Sequence, residues 1–177
     1  MPYRTSVRGL FDALASSCTV SGEVEAADVD LGGQAFHFEG PVSFEVTLTN
    51  AGTGIVAEGR ASARVVTPCS RCLCDARLEV GADVEAFYVL PGHDTDLPEE
   101  QEFELIADDQ SIDLEPAVTA AIVVDLPFAP LHDEECKGIC PVCGADRNTE
   151  PCACGQPEAE SPFAALRDLH VDGAHSA

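Results

Sequence analysis

Residues 42–66 read VSFEVTLTNAGTGIVAEGRASARVV, and this stretch decides the fold that the sequence predicts. Apolar and polar residues alternate from Val42 to Leu48, which is the period-two pattern of a half-buried strand. Residues 50–54 contain two glycines and predict a turn, so that residues 55–66 run back along the first strand. The stretch therefore predicts an antiparallel β-hairpin, and the residues of its second strand that face the core are Ala57, Ala61, Ala63 and Val65.

Further strands are expected on both sides of this hairpin. Residues 20–29 predict a weak strand before it. Residues 77–89 predict a long strand after it, because Leu78, Val80 and the apolar residues at 82, 84 and 86 again fall on every second position. The pattern indicates an α+β fold, in which an antiparallel β-sheet of hairpins in a meander carries a few short helices and a C-terminal zinc knuckle.

Two helices are expected to pack on this sheet. Residues 8–17 predict a short helix, with one apolar face made of Leu10, Phe11 and Leu14. Asp113 can cap a second helix that Pro127 ends. The residues that share a face of this second helix, and would cover one face of the sheet, are Leu114, Val118, Ala121 and Ile122.

The chain is expected to fall into three parts. An α+β core domain covers residues 1–130 and includes an acidic loop over residues 91–110. A Cys-rich zinc knuckle covers residues 131–157, where Cys, Gly and Pro are dense, and a C-terminal helix and tail cover residues 158–177. The acidic loop holds eight Asp and Glu residues, so it is either a solvated segment or a docking site for a basic partner.

Charge and cysteine content set the class of protein. The 177 residues include 32 acidic and 9 basic ones, giving a net charge of −23 that repels phosphate and attracts basic proteins. No long apolar run and no signal-peptide layout is present, so we expect a cytoplasmic protein with no membrane partner. In the reducing cytosol, nine cysteines favour metal ligands over structural disulfides.

The sharpest motif is the C-x2-C step from Cys140 to Cys143, followed by Gly144. A C-x2-C step in a tight turn places two sulfurs on one side, at the separation that a tetrahedral metal needs. Cys152 and Cys154 follow nine residues later and complete four thiolates. The sequence therefore predicts one zinc site here.

A second C-x2-C step, Cys69 to Cys72, is expected at the tip of the second hairpin. His132 and Cys136 are four residues apart, and they complete a Cys3His zinc site if the second helix delivers them to that tip. Cys74 competes with His132 or Cys136 for this site.

Alternatives to these two zinc sites stay open. The two C-x2-C pairs could share one ion, the spacing could be chance, and thiolate ligands would also accept iron. One or two zinc ions are therefore expected. Cys18 is outside every set, and we expect it to be a small buried residue. Four protein ligands leave no coordination position for water, and no phosphate-binding loop or nucleophile motif occurs, so we expect no enzyme.

Several segments resemble the YceD-type large ribosomal RNA subunit accumulation proteins. They are CSRCL at residues 69–73, IDLEP at 112–116, the LP and PL steps between 126 and 131, and CKGICPVCG at 136–144. The resemblance runs from about residue 20 to residue 169. This chain has His132 where such proteins often carry Cys, an exchange that keeps a ligand, and some of them lack the later cluster.

The resemblance implies a non-catalytic role in the synthesis, processing or stability of 23S ribosomal RNA. It implies ribosomal RNA or a precursor of the large subunit as partner, and the small basic ribosomal protein L32 as a candidate. The basic side chains expected to contact nucleic acid or a partner are those of Arg71, Arg77 and Lys137. The competing hypothesis is a redox-switched zinc-binding protein or chaperone, with Cys74 as the resolving thiol.

Overall fold

The computed structural model describes residues 2–92 and 102–154, and a seven-stranded sheet dominates them. The predicted hairpin forms its centre. Strands β5 (Val42–Asn50) and β6 (Gly54–Pro68) pair in antiparallel register, with Val46 opposite Gly59. The predicted strand after it is confirmed as β7 (Asp75–Val89), which pairs with β6 over its whole length and leaves residues 69–74 at the tip of this second hairpin.

The remaining strands join at the edges, and the long strand β6 organises them. On the side away from β7, β6 pairs first with β5 and then, near Val65, with β4 (Gln34–Phe38). Strand β3 (Val29–Leu31) pairs with β4, and β2 (Ser17–Val24) pairs with β5 at the outer edge. On the far side of β7, β8 (Glu104–Leu105) adds two parallel residues inside the segment predicted as an acidic loop, of which residues 93–101 lie outside the described part.

A separate two-stranded sheet joins the N-terminal segment to the approach of the main helix. Strand β1 (Arg4–Ser6) pairs with β9 (Ser111–Asp113). The Asp113 carboxylate accepts the backbone N–H of Tyr3 at 3.0 Å and that of Glu115 at 3.1 Å. Asp113 is therefore the last residue of β9, one position before the N-cap Leu114, and its carboxylate caps the N–H of the first helical residue, Glu115.

Helix α1 (Glu115–Val124) is the α-helix of the described residues, and it covers one face of the sheet as predicted. Val118 and Ile122 are fully buried, whereas Ala121 is only half-buried. Facing strands present small side chains, which lets the helix lie close to the sheet. The core therefore combines helix residues with the inward-facing residues of β5, β6 and β7, among them Val46, Leu48, Ala57, Ala61, Ala82 and Val84.

Three predictions for the first thirty residues are wrong. The expected helix over residues 8–17 is a 3-10 helix, Arg8–Asp12, and Leu14 is 74% exposed. The Asn50 side chain donates to the carbonyls of Leu10 and Ala13, which closes this segment as a turn before β2 begins.

The predicted strand over residues 20–29 is divided between β2 and β3, since pairing with β5 ends at Val24. Cys18, near the start of the edge strand β2, is exposed, so the prediction that it is buried is also wrong.

The chain divides into two compact units, one ending at Cys136 and the other beginning at Lys137. The predicted C-terminal helix over residues 158–177 lies outside the described residues. Across residues 2–92 and 102–154, no helix has the length and apolar character needed to cross a membrane.

Candidate metal centres

The tip of the β6–β7 hairpin is a tight turn that points two cysteines inward. The N–H of Cys69 donates to the carbonyl of Cys74 at 2.8 Å, and the N–H of Leu73 donates to the carbonyl of Cys69 at 2.9 Å. Leu73 adopts a left-handed conformation with φ of 65°, which the turn requires. Cys69 and Cys72 are buried as a result.

Residues 130–136 follow helix α1 and are bound to this tip by hydrogen bonds to their backbone carbonyls. The N–H of Ser70 donates to the carbonyl of Pro130 at 2.8 Å. The Arg71 guanidinium donates to the carbonyl of Cys136 at 2.8 Å and to that of Glu134 at 3.3 Å. These bonds bring His132 and Cys136 to the two hairpin cysteines.

Cys69, Cys72, His132 and Cys136 form the first cluster, with one potential ligand atom each and all of these atoms within 4.8 Å of one another. The Sγ atoms of Cys69 and Cys136 are 3.9 Å apart. The Nδ1 atom of His132 lies 3.5 Å from Cys69 Sγ and 3.3 Å from Cys72 Sγ. A tetrahedral zinc would separate two sulfurs by about 3.8 Å, and sulfur from nitrogen by about 3.6 Å.

The surroundings of Cys69 in the first cluster favour its thiolate form. Burial opposes the ionisation of Cys69, but hydrogen bonds from the His132 side chain and from the backbone N–H of Arg71 outweigh it, and they lower the pKa of the Cys69 thiol to about 5. The neighbouring Cys74 thiol, together with burial, raises the pKa of Cys72. Of these two cysteines, Cys69 therefore favours the thiolate and Cys72 the thiol.

Cys74 lies beside this cluster. Its Sγ atom is 3.0 Å from Cys72 Sγ, and the residue is exposed. The two readings of Cys74 in the sequence, as a competing ligand and as a resolving thiol, both require this proximity.

The second C-x2-C step adopts the same turn as the first. The N–H of Cys140 donates to the carbonyl of Ala145 at 2.8 Å, and the N–H of Gly144 donates to the carbonyl of Cys140 at 2.9 Å. Gly144 has φ of 74°, which glycine adopts without steric cost.

The segment between the two cysteine pairs of this second unit is folded around Asp146. Its carboxylate accepts the N–H of Asn148 at 2.9 Å, and its carbonyl accepts the N–H of Glu150 at 2.9 Å. The Asn148 side chain in turn accepts the N–H of Lys137 at 2.7 Å. The chain thereby reverses direction and returns Cys152 towards Cys140.

Cys140, Cys143, Cys152 and Cys154 form the second cluster, and their sulfurs also lie within 4.8 Å of one another. Cys152 Sγ is 3.3 Å from Cys140 Sγ and 3.6 Å from Cys143 Sγ. The N–H groups of Cys143 and Val142 lower the pKa of Cys140 to about 6. The thiols of Cys152 and Cys143 raise the pKa of Cys154 to about 12.

Both clusters fit a metal by their donor chemistry and by their spacing. Thiolates and imidazole are the ligands of Zn²⁺ in proteins, and neither cluster contains the carboxylates that Mg²⁺ or Ca²⁺ prefer. Each C-x2-C pair has two partners of its own within the same compact unit, so no shared ion is needed to complete a set of four.

The three basic residues predicted to contact a partner are placed differently. Arg71 braces the first cluster through the carbonyls described above, a role that spacing alone does not indicate. Arg77 lies on β7, where its side chain pairs with Glu39 at 3.4 Å. Lys137 begins the second unit and is exposed. Nucleic-acid or partner contact by these three residues stays a prediction.

The model of one family, described as large ribosomal RNA subunit accumulation protein YceD, matches residues 57–170. This match spans well over half of the chain and includes both cysteine clusters. The chain belongs to the YceD family. Members of this family are linked by that description to the accumulation of large-subunit ribosomal RNA, and the resemblance drawn from the sequence is confirmed.

Curated relatives of this YceD-family chain come from mycobacteria. An uncharacterized protein of Mycobacterium tuberculosis strain H37Rv is 29% identical over 110 residues, which cover 62% of this chain and 53% of the relative. One from Mycobacterium leprae is 27% identical over 111 residues, covering 63% and 51%. The chain thus spans about half the length of the curated relatives it matches. No solved structure matches it.

Proposed function

We propose that this protein is a non-catalytic cytoplasmic factor that supports the accumulation of 23S ribosomal RNA and the assembly of the large ribosomal subunit. The observation that carries this proposal is the family match over residues 57–170. The matched region includes the two cysteine clusters and the hairpin that presents the first of them. The match thus supports a role in large-subunit RNA accumulation, and we propose that this role is synthesis, processing or stability of the RNA and that it involves the part of the chain with these clusters.

Zinc is the metal that we propose for the clusters, with one ion in each. The residues that would hold it are the four of the first cluster and the four of the second. Bound zinc would cross-link the hairpin tip to the segment after helix α1, and it would cross-link the second unit internally. Four protein ligands leave no position for substrate or water, so the ions would serve structure and the protein would not be an enzyme.

The partners we propose are ribosomal RNA or a precursor particle of the large subunit. A net charge of −23 disfavours a broad electrostatic grip on RNA, so direct RNA contact would be local, at Arg71, Arg77 and Lys137. The same charge favours a basic protein of the particle, and L32 is the candidate that we propose.

Depletion in the native host tests the ribosomal role. We expect less 23S ribosomal RNA and more large-subunit precursors in sucrose gradients, and rescue by the wild-type gene. The paired change Cys69→Ser with Cys72→Ser should fail to rescue, whereas Cys18→Ser should rescue fully, because Cys18 is an exposed cysteine outside both clusters. Unchanged ribosome profiles on depletion would contradict the proposal.

Native mass spectrometry of the tag-free chain tests the metal. Two zinc ions, with the thiols of both clusters protected from alkylation, are expected. One ion with Cys69 and Cys72 reactive would leave only the second cluster as a zinc site. Disulfides in place of metal would contradict the zinc assignment for both.

The second candidate function is a redox-switched zinc protein or chaperone, and the 3.0 Å separation of Cys72 and Cys74 Sγ favours it. Oxidation would join these two sulfurs, remove one ligand and release the ion. Low equivalents of peroxide should then release one zinc from the wild type and none from Cys74→Ser. Zinc retained in both proteins would leave the ribosomal role without this switch.

A further inference from the structure

One edge of strand β7 is open among the described residues. Strand β7 pairs with β6 along its whole length, from Asp75 to Val89. On its other side the described strands include β8 alone, which pairs with Tyr88 and Val89. Within residues 2–92 and 102–154, therefore, no strand pairs with residues 75–87 of β7 on this side. An unpaired edge can accept an additional strand through its backbone N–H and carbonyl groups.

A groove of about 790 Å³ lies along this open edge. We call it the β7 groove, and it is lined by Asp83, Glu85 and Phe87 from one face of β7 and by Ala86 from the other. Successive residues of a strand point to opposite faces, so both faces reach the same groove only where the strand is an edge. Helix α1 forms the opposite wall with small side chains such as Ala120.

The β7 groove has an apolar floor. Phe103 is 38% exposed and lies in the groove with Phe87 and the alanines of helix α1. Val124, at the end of the same helix, is 79% exposed. Exposed aromatic and aliphatic side chains in a concave surface are typical of a binding site.

The rim of the β7 groove is acidic. Among the described residues that line it, five are carboxylates and none is lysine, arginine or histidine; the five are Asp83, Glu85, Glu102, Glu104 and Asp125. Arg60, on β6, pairs with Asp83 at 3.3 Å. Glu58 of β6 stands directly opposite Glu85, an arrangement in which like charges repel. An incoming cation beside Glu85 would relieve that repulsion.

These charges distinguish between three possible occupants of the edge from outside the chain. A second copy of this chain would bring the same acidic rim against itself. A nucleic acid would bring phosphates to five carboxylates, which is unfavourable. A basic protein segment complements the rim, and its backbone can pair with the edge.

We propose that the β7 groove binds a basic protein segment in extended conformation. The segment adds to β7 as a strand, places apolar side chains against the alanines of α1 on one face, and places lysine or arginine beside Asp83 and Glu85 on the other. This inference goes beyond the proposed ribosomal role and does not depend on it, nor on a metal at either cluster.

The test uses the full chain and a synthetic probe. The probe is a nine-residue peptide that alternates lysine or arginine with valine or leucine, and the comparison peptide has the same composition with its apolar residues in one block. Fluorescence anisotropy at 150 mM salt gives the affinity, and backbone amide NMR shifts give the place. We expect the alternating peptide to bind more tightly by about tenfold, and to shift the amides of residues 81–87.

Matched charge reversals keep the proposal falsifiable. Glu85→Lys on the groove and Glu23→Lys on the opposite edge strand change the charge equally, and both positions are exposed. Glu85→Lys should weaken peptide binding by about tenfold or more, and Glu23→Lys by less than about twofold.

Ala120→Gln fills the helix wall without changing the charge of the groove, and it should weaken binding as Glu85→Lys does. Equal binding of both peptides, equal loss in both charge reversals, or shifts outside β7 would each overturn the proposal. Dimers of the free chain that bury residues 81–87, or an RNA oligomer that displaces the peptide from them, would also overturn it.

Discussion

Leu73 takes, at the first C-x2-C turn, the place that Gly144 takes at the second. Each lies four residues after the first cysteine of its step, and each donates its N–H to that cysteine's carbonyl at 2.9 Å. Both have positive φ, 65° for Leu73 and 74° for Gly144. The two metal clusters are thus presented by the same local backbone, although only one turn uses the residue that this backbone favours.

This relationship predicts that Leu73→Gly stabilises the hairpin tip. A non-glycine residue in the left-handed region costs roughly 1 kcal/mol, and the leucine side chain is 67% exposed, so it loses little packing. We expect the free energy of unfolding to rise by up to about 1 kcal/mol in urea denaturation. Leu105→Gly is the matched control: it removes an exposed leucine from a strand and should be destabilising. Equal losses in both variants would contradict the account of strain at Leu73.

The reverse change is expected at the second turn. No atom lies within 4 Å of a Cβ added at Gly144, so the only cost of Gly144→Ala is the backbone strain of an alanine at positive φ. That penalty is about 1 kcal/mol, which corresponds to about fivefold weaker metal binding at the second cluster. Competition with a chromophoric zinc chelator measures it. Unchanged affinity would show that the turn relaxes away from positive φ.

Arg71 and Arg77 provide a pair of variants for the first cluster. Arg71 donates to two carbonyls of the segment that carries His132 and Cys136, whereas Arg77 makes one exposed ion pair with Glu39. Arg71→Ala should therefore lower the unfolding free energy by about 1–3 kcal/mol and speed metal loss. Arg77→Ala should cost less than about 1 kcal/mol. Stopped-flow chelation gives the rates, and similar rates in the two variants would refute the bracing role of Arg71.

The sequence was sufficient for the parts of the fold that depend on local pattern. The alternation in residues 42–66 predicts β5 and β6, and the C-x2-C spacing predicts that the two cysteines of each step come together, while it leaves open which other ligands join them. The helix over residues 8–17 was predicted wrongly because the Asn50 side chain, forty residues further along the chain, donates a hydrogen bond to the carbonyl of Leu10.

Pairings between distant segments left no local signal either. Strand β1 pairs with β9, where Thr5 lies opposite Ile112, and β8 pairs with β7 in parallel. Neither pair is joined by a turn that the sequence could reveal. The hydrogen bond from Arg71 to the carbonyl of Cys136 likewise cannot be predicted from hydrophobic periodicity or cysteine spacing.

The contribution of the Asn50 hydrogen bonds to stability can itself be tested. Its buried side chain donates to the carbonyls of Leu10 and Ala13 and accepts the N–H of Gly52 at 2.8 Å. Asn50→Ala should lower the unfolding free energy by about 2–3 kcal/mol, since three bonds are lost and their buried partners lose solvation. Thr19→Ala on β2 is the control, because it removes an exposed hydrogen bond between the hydroxyls of Thr19 and Thr47. Equal effects of the two changes would contradict the role of Asn50.

Metal binding should depend on pH in a way that the thiol pKa values specify. The pKa of Cys69 is lowered to about 5 and that of Cys140 to about 6, so both are thiolates at pH 7.5 and release no proton when a metal binds. The pKa of Cys154 is raised to about 12, so its proton must leave.

As the pH falls through about 6 and then about 5, Cys140 and Cys69 take up protons and compete with the metal. Affinity should therefore decline steadily from pH 8 and more steeply below pH 6. Calorimetry in buffers of different ionisation enthalpy counts the protons released. In Cys154→Ser, about one proton fewer should be released at pH 7.5, and an unchanged count would show that Cys154 is not a ligand.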